Sequence, residues 1–253
     1  MTRLSFSPLL FLVVLTACGG GSSDPSSSGS IAGNWQITLN SNPAKTPSGF
    51  LLQAGNSVSG GLLISGNCAG LGATQGQVAG SNVALIVNGT SQTLSLTGTA
   101  MADGSSMSGN YSILASGCGA SEVGTWTATQ VAALTGNFQA TFISTVTSNL
   151  SFSFTGTVTQ GPNTGTSYAS LSGSMTSTDS PCFSGASISG QISGTSAVLN
   201  LATSDGTSLG KITATATTNA SSMSGTYAFV NAQMPLACGT DFGTVVFSFH
   251  PFA

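Results

Sequence analysis

Beyond residue 30 the chain alternates apolar and polar residues with a period of two. Trp35, Ile37 and Leu39 are separated by Gln36 and Thr38, and a second run places Phe138, Ala140 and Phe142 between Asn137, Gln139 and Thr141. Successive side chains of a strand point to opposite faces, so each run reads as a strand with one apolar face. The same beat recurs in Val58, Leu62 and Ile64; in Val83, Leu85 and Val87; in Leu94 and Leu96; in Leu150, Phe152, Phe154 and Val158; and in Val245, Phe247 and Phe249. Asn88-Gly89, Asp103-Gly104 and Asp205-Gly206 fall between such runs, where hairpin turns need residues that tolerate positive φ. No segment beyond the N-terminus has a capped helical period. The chain is predicted to be all-β.

The pattern occurs twice. Gly33-Asn34-Trp35-Gln36 matches Gly136-Asn137-Phe138-Gln139, and Cys68 matches Cys182. Gly76-Gln77-Val78 with Gly80 matches Gly190-Gln191-Ile192 with Gly194. Ser105 to Tyr111 matches Ser221 to Tyr227, and Cys118-Gly119 matches Cys238-Gly239. Aligned Cys, Met and Tyr positions are not a by-product of abundant Ser and Gly. Two units follow, residues 31–130 and 131–253, each an antiparallel meander of about eight strands with turns every 8–12 residues. Such a meander closes into a small barrel without open edges; a β-sandwich is the competing architecture. Trp35 and Trp126 are expected in the core, since Phe138 and Val245 hold the matching places, and so are Met107 and Met223. Asn34, Gln36 and Thr38 are expected to meet water.

The first residues follow a different rule. Arg3 precedes an apolar run, Leu9 to Leu15, too short for a transmembrane helix and ordered like a secretory signal. Leu15-Thr16-Ala17-Cys18 resembles the bacterial lipobox at all four positions. That resemblance implies cleavage before Cys18, acylation of its thiol and new amine, and residues 1–17 as the signal peptide. Residues 18–30, rich in Gly and Ser, then read as a flexible tether. The mature protein is expected to be a lipid-anchored protein of the cell envelope whose partner is the membrane. Gly19 after the cysteine resembles lipoproteins sent to the outer membrane where a cell has two.

Charge changes the picture by exclusion. Of 253 residues, 3 are Lys or Arg and 6 are Asp or Glu, against an ordinary charged share of about 25%. Phosphate neutralisation needs clustered cations, so nucleic acid is excluded as a partner. Setting Cys18 aside leaves Cys68, Cys118, Cys182 and Cys238. An even number in an exported chain suggests disulfides, and two per repeat make Cys68–Cys118 and Cys182–Cys238 the natural pairs. No spacing supports a metal site, and no cofactor is expected.

Other candidate chemistry reads as structure. His250 stands alone at a strand end, no Ser is marked as a nucleophile, and the acids are scattered singly. Asp103 and Asp205 are explained by their turns without calcium. The opening Gly33-Asn34-Trp35 resembles the start of lipocalin-like and avidin-like barrels, but neither unit has the polar ligand sets of those families. The reading is a non-enzymatic structural or interaction module whose protein or small-molecule partner, and any ligand-binding residues, are unknown. The alternative is an apolar-ligand binder using a barrel interior.

Overall fold

A computed structural model describes residues 29–41, 45–65, 69–115, 119–148, 150–177, 179–204, 206–229 and 241–250. The first unit contains β1 (Gly33–Leu39), β2 (Ser48–Ala54), β3 (Ser57–Ile64), β4 (Gly70–Ala79), β5 (Asn82–Asn88), β6 (Gln92–Ala100), β7 (Ser106–Ala115) and β8 (Glu122–Val131). The second contains β9 (Gly136–Ser144), β10 (Ser151–Gln160), β11 (Ala169–Thr176), β12 (Gly185–Ser193), β13 (Ser196–Ala202), β14 (Ser208–Ala216), β15 (Ser222–Phe229) and β16 (Phe242–His250).

Each unit is a closed antiparallel barrel, and the sandwich alternative falls away. Closure is made by the first and last strands: Trp35 pairs with Gln130 across β1 and β8, and Phe142 with Val245 across β9 and β16. The β12 and β13 hairpin turns through Gly194-Thr195, and the β4 and β5 hairpin through Gly80-Ser81. Gly194 has φ +55° and Gly80 +57°. Glycine at the first turn position suits a two-residue turn whose twist matches the strands. The Asp103-Gly104 turn forms between β6 and β7 as expected; Asp205 lies outside the described residues.

The alternation read from the sequence becomes the inside and outside of each barrel. Trp35, Ile37, Leu39, Leu85, Leu96 and Trp126 fill the first interior and are almost wholly buried. The second interior is built on phenylalanine. Phe142 stacks on Phe152 with ring centroids 5.3 Å apart and meets Tyr227 edge-on at 5.1 Å. Phe138, in the place of Trp35, packs edge-on against Phe247 at 5.2 Å. Met107 and Met223 are both buried. Outward residues such as Gln75, Gln77, Thr97, Asn110 and Thr125 are polar and uncharged. A membrane-spanning barrel has the opposite arrangement, with its apolar band outside.

The outer face of β1 departs from the sequence expectation. Asn34 is only 3% exposed because the second barrel covers it. Its side-chain amide donates to the Gly194 carbonyl at 2.8 Å and its oxygen accepts from the Gly194 N–H at 2.8 Å. Gln36 Oε1 accepts from the backbone N–H and the hydroxyl of Thr195, both at 3.2 Å. Ser48 and Ser193 hydroxyls meet at 2.9 Å, and Asn163 donates to the Leu51 carbonyl at 2.7 Å. Phe50, on β2, belongs to the buried cluster of the second barrel. The face expected to meet water is therefore a seam between barrels. Polar residues on it are satisfied by a partner backbone instead of by solvent.

Candidate functional site

Three places could carry function: the barrel interiors, one end of each barrel, and the outer faces. The interiors are filled by buried side chains. At one end of the second barrel the gap between Leu134, Phe138, Met223, Phe247 and Phe249 holds no space for a water molecule. Trp35 and Trp126 are fully buried, with Trp35 Nε1 donating to the Ile31 carbonyl at 2.8 Å. Trp126 Nε1 donates to the Thr97 and Asn110 carbonyls at 3.2 and 3.1 Å. The indole reaches those carbonyls beside the Gly98–Gly109 pair of β6 and β7. A Cβ on Gly109 would stand 1.9 Å from the Thr97 oxygen, so no side chain fits there. Neither tryptophan is available to stack on a ligand.

The ends carry chemistry that the scattered acids did not announce. Tyr111 on β7 donates to Glu122 at the start of β8 at 2.5 Å, and Lys45 pairs with the same carboxylate at 2.9 Å. In the second barrel Tyr227 donates to Asp241 at 2.6 Å, and Ser144 donates to the other oxygen at 2.5 Å. Asp241 is fully buried. The repeat aligns Tyr111 with Tyr227, and an acid follows each Cys-Gly pair, which was the available signal. The missing step was spatial, because the bonds cross from one strand to the next. Both tyrosines have their pKa raised, first by burial and then by the neighbouring carboxylate. This arrangement holds tyrosine protonated as a donor to a carboxylate.

The raised pKa values set a stability change at high pH. Above the ordinary tyrosine value near 10 the unfolded chain loses a proton that the folded chain keeps. Stability is then full below pH 10 and falls above it as the pH rises, for Tyr227 by up to about 1.4 kcal/mol per pH unit. Tyr227→Phe should remove one proton's worth of that slope, measured by urea unfolding between pH 9 and 12. An unchanged slope would show that Tyr227 ionises normally in the fold.

The other predicted positions are placed as follows. Asp103 is exposed and its Oδ1 accepts from the N–H and hydroxyl of Ser105 at 2.9 and 2.8 Å, which lowers its pKa. Neutral Asn219 makes the same bonds to Ser221 in the second barrel, so the turn needs an acceptor and no ion. His250 ends β16 facing outward. Cys182 is buried and engaged. Cys18, Cys68, Cys118 and Cys238 lie outside the described residues. Among the described residues no three His, Cys, Asp or Glu come together as a metal site, and no helix is long and apolar enough to cross a membrane.

The outer faces hold shallow open grooves. One, of about 560 Å³, crosses β4, β5 and β6 between Gln75, Gln77, Ile86, Ser95 and Thr97. Another, of about 340 Å³, crosses β14, β15 and β16 beside Lys211, Thr213, Thr226, Phe242 and Thr244. Exposed apolar side chains (Leu71, Leu114 and Val123 on the first barrel, Ile143, Val246 and Phe242 on the second) are set among hydroxyls and amides.

No protein-family model matches the chain, and no curated protein matches it in sequence. Among solved structures it is similar to the agglutinin of Burkholderia oklahomensis, at 10% identity over 90% of this chain and 99% of that one, with a TM-score of 0.21.

Proposed function

We propose that this chain is a lipid-anchored, non-enzymatic interaction module of the cell envelope, which meets its partners with the outer faces of two solid barrels. The observation that carries the reading is the filled interior. A ligand-binding barrel keeps a cavity of some 300 Å³ or more, whereas these interiors are packed with Trp, Phe and Leu. The outer faces support it too, since they mix uncharged polar groups with single exposed apolar ones. Such a surface suits contact with a neutral partner better than with a phosphate polymer or an anionic lipid.

Anchoring is proposed on the lipobox-like Leu15-Thr16-Ala17-Cys18 and the tether after it. The described chain starts beside the β6 to β7 turn, where the Gly29 N–H donates to the Ala102 carbonyl at 3.0 Å. Gly29 therefore lies at the end of the first barrel opposite Tyr111 and Glu122. The disulfides Cys68–Cys118 and Cys182–Cys238 are part of the proposal. A meander sends the β3–β4 and β7–β8 connections to one end, as it does the β11–β12 and β15–β16 connections, and Cys182 is buried and engaged there.

Two measurements on protein extracted from cells test this reading. Native mass spectrometry should find the acylated chain without a bound small molecule. An apolar compound recovered in a one-to-one ratio would overturn the packed-interior reading in favour of ligand carriage. Fatty-acid labelling should be lost in Cys18→Ser, and labelling that persists would end the anchoring proposal.

A further inference from the structure

The seam between the barrels uses residues that the repeat has copied, and one copy of each is vacant. The seam has a face and a turn. The face is Asn34 and Gln36 on β1, with Phe50 and Ser48 opposite them in register on β2. The turn is Gly194-Thr195 at the tip of β12 and β13. The second barrel repeats the face: Asn137 and Gln139 on β9, with Thr157 and Thr155 opposite them in the same register on β10. Asn137 and Gln139 are exposed. The first barrel repeats the turn as Gly80-Ser81, with the same left-handed glycine and open space around it.

We infer that the protein associates head to tail with a second copy of itself. The Gly80-Ser81 turn of one chain seats on the Asn137 and Gln139 face of the next. The chemistry of the four seam bonds is retained. An asparagine amide can bond both backbone groups of the turn glycine, and a glutamine oxygen can accept from the N–H and hydroxyl of the next residue. Serine at 81 supplies the same two donors as Thr195. Three features of the internal seam are not copied. Thr157 stands where Phe50 packs, Ala79 where Ser193 bonds to Ser48, and the short Gly55-Asn56 turn where the β10–β11 connection sends Asn163 to the Leu51 carbonyl. The contact between chains is therefore weaker than the contact within one, and it depends on concentration. Each chain has one vacant face and one vacant turn, which are different surfaces. Such a heterologous contact grows an open chain instead of stopping at a dimer. The inference stands on the seam alone and does not depend on the anchoring proposal.

Sedimentation of the full two-barrel protein, carrying Cys18→Ser so that no acyl chain contributes, tests it. The average mass should climb with concentration and show no plateau at two. Asn137→Lys blocks the face and Ser81→Lys blocks the turn. Both sites are exposed, so unchanged unfolding midpoints will show that both variants fold. A charge buried without a partner opposes the contact, so each variant alone should weaken association at least tenfold. Mixed in equal amounts, they should form a heterodimer through the one intact pair of surfaces and nothing larger. A parent that stays monomeric to about 1 mM, the weak limit of specific binding, would overturn the proposal. So would a single variant that still assembles, or a mixture that remains monomeric while the parent associates.

Discussion

Trp35→Ala should cost about 3–5 kcal/mol, the range for deleting a buried aromatic ring. Trp35 is fully buried on the inner face of β1. The walls around it are strands bonded on both sides in a closed ring, so the cavity cannot be filled by a shift of one element. Cavity cost rises when the surroundings fail to collapse. The Ile31 carbonyl also loses the indole N–H, a bond of 2.8 Å between groups out of reach of water. Trp35→Phe, which installs the residue found at Phe138, should cost only about 1–2 kcal/mol, because most of the apolar volume stays. Urea unfolding of both variants decides the matter. A Trp35→Ala protein as stable as the parent would mean that the ring does not hold the first barrel together.

The inside of each barrel was legible because burial by one's own barrel leaves a periodic trace. Trp35, Ile37 and Leu39 alternate with polar residues, and a one-residue slip would turn the whole set outward. The duplication was legible for the same reason, since both copies need the same Gly turns and Tyr positions. What could not be read is contact made by one barrel on the other. Asn34 and Gln36 look like any solvent-facing pair, and they remain polar in the seam because they bond to a turn backbone. Phe50 sits in Ser48-Gly49-Phe50-Leu51-Leu52, where three apolar residues in a row carry no period. Only the fold shows that Leu51 faces in, Phe50 faces the second barrel, and Leu52 is exposed. The Tyr111–Glu122 and Tyr227–Asp241 pairs were hidden for a related reason. Their members are separated along the chain by connections that the eye reads as loop.

The seam also decides how the two units unfold. The duplication alone suggests that each unit, residues 31–130 and 131–253, folds by itself. The seam makes independence incomplete, because the first unit alone would expose Phe50 and leave Asn34 without the Gly194 backbone. Phe50→Asp is the substitution that separates the two descriptions. It replaces a side chain 1% exposed with a carboxylate. The lost ring alone is worth about 3 kcal/mol or more, and an unpaired buried charge adds to that cost. The charge does not sit inside either barrel, since Phe50 points out of the first and onto the second. Both interiors can therefore survive while the contact between them is lost. The expected outcome is one coupled unfolding transition in the parent, followed by calorimetry and by amide exchange. In Phe50→Asp there should be two transitions, with protection kept inside β5, β6, β13 and β14 and lost from the backbone amides of Gly194 and Thr195. A single transition that simply shifts to lower temperature would mean that Phe50 is part of one shared core. A variant with no change would mean that the barrels are held together by the linker and not by the seam.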